Sequence, residues 1–250
     1  MLIQLPEERK NEIICLFKKR QPNASALWSY FNGTMAGKTY VDDLTAPTKA
    51  ICQLDMSWTF ISDDADFAWI EETLAEIIRI TWIQVIWAPE RRGQYPLPES
   101  GKVIPRNEYT ERGPALAEPR DVEMAPFCKE LLEKLPWADW HLSVYGTAEK
   151  FFEKTFGFYA VENGVPYSEA EATFIANGWC EIGIITVEAK RRMGYAFASC
   201  LRLLEEIENR GMKAIWACDK ENAESDALAK KLGFINPVEY DFIYFPHQHD

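Results

Sequence analysis

Val187-Glu188-Ala189-Lys190-Arg191-Arg192-Met193-Gly194-Tyr195-Ala196 joins an apolar run at 179–187 to a long amphipathic segment at 194–209, closed by Gly211. A short apolar run followed by a three-to-four spacing of apolar residues reads as a strand leading into a helix. The first four N–H groups of such a helix lack intrahelical partners, and the macrodipole makes that end partly positive. Gly194 has no side chain to block a close approach, and Ala196 is nearly as small. Lys190, Arg191 and Arg192 place three cations beside them. Strand, basic turn and helix start together make a cradle for a diphosphate. An ordinary strand–helix turn with solvated charges would carry similar residues, so the flanking sequence has to decide.

Working outward, Pro126 suits the first turn of a helix running to Leu135, and a second helix is expected over 147–155. Runs at 158–161 and 165–172 flank Glu162-Asn163-Gly164, a hairpin signal. Beyond the long helix come a strand at 214–218, a helix at 223–232 closed by Gly233, and a strand at 238–245. This order gives an α/β fold, a mixed sheet with helices on both faces. Upstream, periodicity fades in a proline-rich stretch, with prolines at 89, 96, 98, 105, 114 and 119. Residues 91–119 are read as a connector with room for one strand. They separate an α/β unit over 1–90 from a domain over 120–250. The first unit is expected to hold helices at 7–19, 24–31 and 66–80. Its strands are expected near 39–41, 50–54, 58–61 and 83–88.

Composition narrows the function. The 250 residues carry 27 Lys and Arg against 39 Asp and Glu, a formal charge of −12, so phosphate backbones and acidic membranes are repelled and cationic partners favoured. Residues 77–88 are too short and polar to span a bilayer. Six cysteines without a C-x-x-C pair fit a reduced, cytoplasmic protein. Gly33-Thr-Met-Ala-Gly37-Lys38-Thr39 resembles a nucleotide-binding loop but is one residue short and follows a helix instead of a strand. His247 and His249 read as a solvated tail rather than a metal site, His141 has no nucleophile partner in sequence, and no metal is expected.

Arg191 to Ala196 have the form R-x-x-G-x-A. Downstream, Trp216-Ala-Cys218 is followed by Asn222-Ala-Glu-Ser225 and then by Leu232-Gly233-Phe234. In this order and spacing the two blocks resemble the signature of the GNAT superfamily of acyl-CoA-dependent N-acyltransferases, over about residues 120–250. The Trp-x-Cys strand and the Leu-Gly-Phe ending are similar to a bacterial subgroup that includes a zwittermicin-resistance acetyltransferase. The resemblance implies a GNAT-like, mostly antiparallel sheet. It implies acetyl-CoA as co-substrate, lying where the strands at 179–187 and 214–218 splay apart. Pantetheine would pair with the backbone of Ile185, Thr186 and Val187. The diphosphate would lie at Arg191, Arg192, Met193, Gly194, Tyr195 and Ala196. Asn222 and Ser225 would flank the pantetheine arm, a role compatible with helix capping.

The implied reaction is acetyl transfer to a primary amine of a small molecule, with protein N-terminal or lysine acetylation as the runner-up. An ammonium with a pKa near ~10 must first lose a proton. Glu181 interrupts the apolar strand, shares a face with Gly183, Ile185 and Val187, and matches a position from which family members draw a base. Burial would raise its pKa, whereas a strand-end carboxylate facing solvent or paired with arginine would have no such role. Ala229 occupies the usual position of a tyrosine general acid, with Tyr195 and Cys218 as substitutes. Trp137, Trp140 and Tyr167 are candidate acceptor-pocket aromatics. A non-catalytic CoA-sensing module and an interaction protein retaining the fold are the alternatives. Finally, Ile86-Trp87-Ala88 and Ile215-Trp216-Ala217 each follow an amphipathic helix, which makes the first unit a candidate degenerate copy. Its equivalent turn, residues 62–66, is acidic and would repel a diphosphate. The first unit would then shape the acceptor site or a homodimer.

Overall fold

A computed structural model of the chain describes residues 2–95 and 101–248. It forms two compact units, one of Met1–Glu108, Asp219–Glu221 and Val238–Asp250, the other of Tyr109–Cys218 and Asn222–Pro237. No helix among the described residues is long and apolar enough to cross a membrane.

In the second unit, strands β1 (Glu123–Pro126), β2 (Phe156–Glu162), β3 (Val165–Ala176), β4 (Trp179–Thr186) and β5 (Lys213–Asp219) form a sheet in the order β5-β4-β3-β2-β1. Its pairings are antiparallel except for β4 with β5. Asn163 (φ 54) and Gly164 (φ 73) give the β2–β3 hairpin the two positive φ angles that a tight turn requires. The unit has five α-helices, α1 (Lys129–Leu132), α2 (Ala138–Tyr145), α3 (Ala148–Lys154), α4 (Tyr195–Asn209) and α5 (Ala223–Lys231), with a 3-10 turn at Glu188–Lys190 and a small strand pair of Glu111–Arg112 with Phe234–Ile235. Strand alternation sorts the two faces of the sheet. Phe158, Ala170, Ala172, Cys180 and Ile182 pack with Phe197, Cys200 and Leu203 of α4. Tyr159 and Val161 point the other way, into a core with Leu132, Ala148 and Phe151.

Two expectations need correction. Pro126 ends the short strand β1 instead of opening a helix, and α1 begins three residues later as a single turn. A strand end tolerates a residue without an N–H. Residues 138–145, expected as loop, form α2; only His141 in it is buried, so no apolar stripe announces the helix.

In the first unit the strands Gln4–Leu5, Gly37–Val41, Ala50–Leu54, Trp58–Ile61, Ile83–Trp87, Val238–Phe245 and Lys102–Tyr109 are neighbours in that order. Trp58–Ile61 and Ile83–Trp87 run parallel, joined by the helix Phe67–Ile78, which buries Ile70, Leu74, Ile77 and Ile78. This repeats the strand–helix–parallel-strand plan of β4, α4 and β5. Glu7–Leu16 is a 3-10 helix rather than the expected α-helix over 7–19. Its buried residues, Lys10 and Ile13, are three apart, the spacing that eclipses in this tighter helix. Gly33 follows the helix Ala24–Phe31 and Gly37 opens a strand, so the loop between them is a helix-to-strand turn. Nε2 of His247 lies 3.1 Å from the Arg79 carbonyl; His249 and the prolines at 96 and 98 fall outside the described residues.

Candidate active site

β4 and β5 pair at Trp179↔Lys213, Cys180↔Ala214 and Glu181↔Ile215, and then part. On its other edge β4 stays paired with β3 as far as Thr186↔Ser168. Beyond Glu181, β4 therefore has no pairing with β5 among the described residues, and an open strand edge is a template for an extended ligand. A cleft of about 540 Å³ opens there. Of the residues expected to hold a cofactor, Ile185, Thr186, Arg191, Arg192, Gly194, Ala196, Asn222 and Ser225 line it.

The basic turn divides its charges between two tasks. Nζ of Lys190 donates to Glu162 at 2.7 Å and lies over the rings of Tyr167 and Tyr195, at 4.4 and 5.3 Å from their centroids. That hydrogen bond holds the Glu162 carboxyl below its ordinary pKa. Arg120 also lies over the Tyr195 ring, 4.7 Å from its centroid, and donates to the Met193 carbonyl. Lys190 thus braces the turn, while Arg191 and Arg192 are exposed at the cleft, with no ion pair among the described residues. Three expected residues present no side chain to the cleft. Tyr195 is buried beneath Lys190, the Met193 side chain is exposed, and Val187 hydrogen-bonds through its N–H to the Tyr167 carbonyl. The start of α4 carries no side-chain cap, which leaves its N–H groups for a ligand.

On the facing helix, Oδ1 of Asn222 accepts from the Ser225 N–H at 3.0 Å, and the Ser225 hydroxyl accepts from Nε1 of Trp216 at 3.2 Å. Capping and cleft lining coexist at these residues. Asn222→Ala is expected to lower stability by about 1 kcal/mol, measurable by urea denaturation. Leu228 and Lys231 also line the cleft and escaped the sequence reading. Ser225, Leu228 and Lys231 follow one another at intervals of three, and that spacing was the available signal.

Glu181 is buried on β4, between Thr173 and Ile215, on the face turned away from α4. It does not line the cleft. The register with β3 sets Glu171 opposite Gly183 and Glu169 opposite Ile185 on that same face. His141 of α2 brings Nε2 to 2.6 Å from Oε1 of Glu169, and Nε1 of Trp137 donates to Oε2 at 3.1 Å. Burial lifts the Glu171 carboxyl to a pKa of about 8; the charge of Glu169 adds to this and His141 opposes it. Burial resists charging His141, but Glu169 and Glu171 outweigh it and move the imidazole above its ordinary value. Trp140 is half exposed. Tyr195 and Cys218 are both buried away from the cleft, and Ala229 is enclosed in the core beneath α4.

The equivalent turn of the first unit, residues 62–66, is occupied by its own chain. The Arg91 guanidinium donates to the carbonyls of Ser62, Asp63 and Ala65. The Asp63 carboxylate accepts from the Lys19 N–H and the Gln21 amide, and Asp64 pairs with Lys18. Asp66 caps the following helix at the Trp69 N–H.

Residues 105–243, more than half of the chain, match the family model described as GNAT acetyltransferase. The chain belongs to this family. This GNAT-family chain is 32% identical over 100 residues to YdfB, an uncharacterised N-acetyltransferase of Bacillus subtilis (strain 168). That match spans 40% of the chain and 38% of the relative, so well under half of either protein is compared. Among solved structures, a GCN5-related N-acetyltransferase-like protein from Streptococcus suis 89/1591 superposes with a TM-score of 0.64 at 18% identity, over 95% of this chain and 99% of its own. A tandem GNAT protein from the clavulanic acid biosynthesis pathway gives 0.62 at 11% identity over 100% of both chains. At such identities the likeness is one of fold, and it takes in the N-terminal unit of this GNAT protein as well as the second.

Proposed function

We propose that the chain transfers an acetyl group from acetyl-CoA to a primary amine of a small molecule, in the cytoplasm. The observation that carries this reading is the parting of β4 from β5 beside a basic, uncapped helix start, with the cleft between them. Pantetheine fits the open edge of β4 at Ile185 and Thr186, and the diphosphate fits the start of α4 beside Arg191 and Arg192. Bound acetyl-CoA supplies an activated thioester; the chain supplies its orientation and the proton transfers. Glu181 is assigned as the base that takes the proton of the amine. The net charge of −12 favours a cationic acceptor. The Trp216-x-Cys218 strand and Leu232-Gly233-Phe234 ending favour a place near the zwittermicin-resistance acetyltransferases. Six free thiols agree with a reducing compartment. One observation favours a CoA-binding module without turnover: neither Tyr195 nor Cys218 reaches the cleft, and Ala229 is in the core.

Thermal unfolding tests the reading. Acetyl-CoA at 100 times its dissociation constant is expected to stabilise the chain by about 2.7 kcal/mol, a rise of roughly 5–10 °C in midpoint. An unmoved midpoint at millimolar acetyl-CoA contradicts the cofactor assignment. Calorimetry is expected to give one acetyl-CoA per chain, because the turn at 62–66 is filled; two would contradict this.

A further inference from the structure

α2 lacks the means by which a helix is usually held to a sheet. It buries one side chain, His141, and exposes Trp140, Leu142 and Val144. Helices of globular domains are ordinarily held by an apolar stripe. Here the contact is polar, because the buried His141 meets Glu169 and Glu171, both buried on β3. The Phe151 ring stacks on the imidazole, 4.3 Å between centroids, and fixes its plane. Gly183 of β4 stands opposite Glu171, and a methyl group there would lie 2.7 Å from both Cγ and Oε1 of the glutamate. The Glu171 side chain therefore crosses the bare backbone of Gly183.

One imidazole nitrogen of His141 and one carboxylate oxygen each of Glu169 and Glu171 lie within 4.8 Å of one another. No other set of three His, Cys, Asp or Glu side chains among the described residues converges so closely. The group is short of hydrogen bonds. Nε2 of His141 is 2.6 Å from Oε1 of Glu169, yet neither ring nitrogen is in hydrogen-bond geometry with a described residue. Oε2 of Glu171 is buried with no partner, as is the Tyr159 hydroxyl opposite Glu169 on β2. Glu169 is oriented from outside by Nε1 of Trp137, which donates to Oε2 at 3.1 Å. Charge is out of balance as well. Two carboxylates face one imidazole, and an imidazolium offsets only one of them. Tyr145 and Tyr159 bring no positive charge, and Glu181 of β4 is a further acid on this face. Buried charges are paired or coordinate metals. A divalent cation offsets both carboxylates and satisfies the orphaned nitrogen and oxygen together.

We infer that His141, Glu169 and Glu171 bind a divalent transition-metal ion, zinc fitting best, which pins α2 to β3. An imidazole nitrogen with two carboxylate oxygens suits zinc and its neighbours better than magnesium or calcium, which take oxygen donors. Ligands bonded at about 2.1 Å stand about 3 Å apart. Binding therefore replaces the close His141–Glu169 contact by two bonds to the ion and displaces a proton. Trp137 supplies the outer contact that orients a ligating carboxylate. None of the three ligands lines the cleft at β4, so the metal site stands whether or not acetyl-CoA binds there. The expectation of no metal rests on local spacing, whereas these donors come from two elements, α2 and β3.

The test uses the full chain, purified without a polyhistidine tag, stripped with a chelator and titrated with Zn²⁺ by calorimetry. One ion per chain is expected, with a rise in unfolding midpoint on binding. Glu171→Gln and Glu169→Gln are each expected to weaken Zn²⁺ binding by about 100-fold or more, since losing an outer partner alone costs about 10- to 100-fold. Trp137→Phe should cost about 10-fold. Both Gln variants keep the side-chain shape and remove a buried charge, so their stripped forms should fold, which the midpoint without metal checks. X-ray absorption at the zinc edge of the wild type should show nitrogen and oxygen around the ion and no sulfur, and it decides the matter should either variant fail to fold. His247→Asn with His249→Asn should leave the affinity unchanged. Failure of the stripped wild type to bind at micromolar Zn²⁺, sulfur around the ion, or undiminished binding by Glu171→Gln overturns the metal site.

Discussion

Gly194→Asp is expected to abolish acetyl-CoA binding, whereas Gly194→Asn retains part of it. Gly194 has a φ of 91, and an added Cβ would lie 3.3 Å from the Arg120 Cβ. Either side chain therefore meets the same backbone strain and the same neighbour, although Asn tolerates positive φ better than most residues. Only Asp adds a negative charge where the diphosphate would lie. Its carboxylate can also take the helix-start N–H groups for itself. Hydrogen bonds to a charged group contribute about 1.5–3 kcal/mol each, so losing two weakens binding by about 100-fold or more. Titration calorimetry of both variants, with the unliganded midpoint as a fold check, separates charge from strain. Wild-type affinity in Gly194→Asp would show that the turn at 188–194 is not the diphosphate site.

Glu181→Gln is expected to lower kcat by about 10²–10⁴-fold with little change in acetyl-CoA affinity, the range general-base catalysis contributes. The substitution keeps the shape of a buried side chain, so folding is a minor concern. Unchanged turnover in Glu181→Gln would end its assignment as the base.

How much of this was visible in the amino-acid sequence depended on how local each signal was. The β4–turn–α4 segment reads directly because a single stretch changes its apolar period from strand to helix within ten residues. The same holds for the hairpin at Asn163-Gly164. α2 was missed because it buries one residue, His141, and presents no stripe. Tyr195 stands inside the motif, yet its side chain turns under Lys190 while its backbone stays at the helix start. The acids at 169 and 171 alternate with Ala170 and Ala172, which marks them as one face of a strand. Nothing in sequence shows that His141, twenty-eight residues earlier than Glu169, meets them there. Such meetings are made by packing, and no spacing rule reports them.

The strand 179–186 carries two programmes in alternate positions. Cys180, Ile182 and Ile184 face the α4 core, while Glu181, Gly183 and Ile185 face the buried acids. A side-chain change at one position leaves the opposite series where it was. A change in length does not, because deleting one residue exchanges the two series throughout the rest of the strand. Glu181 would enter an apolar core, and Gly183 would no longer leave room for Glu171. The length of this strand is therefore held more tightly than the composition of its α4-facing positions.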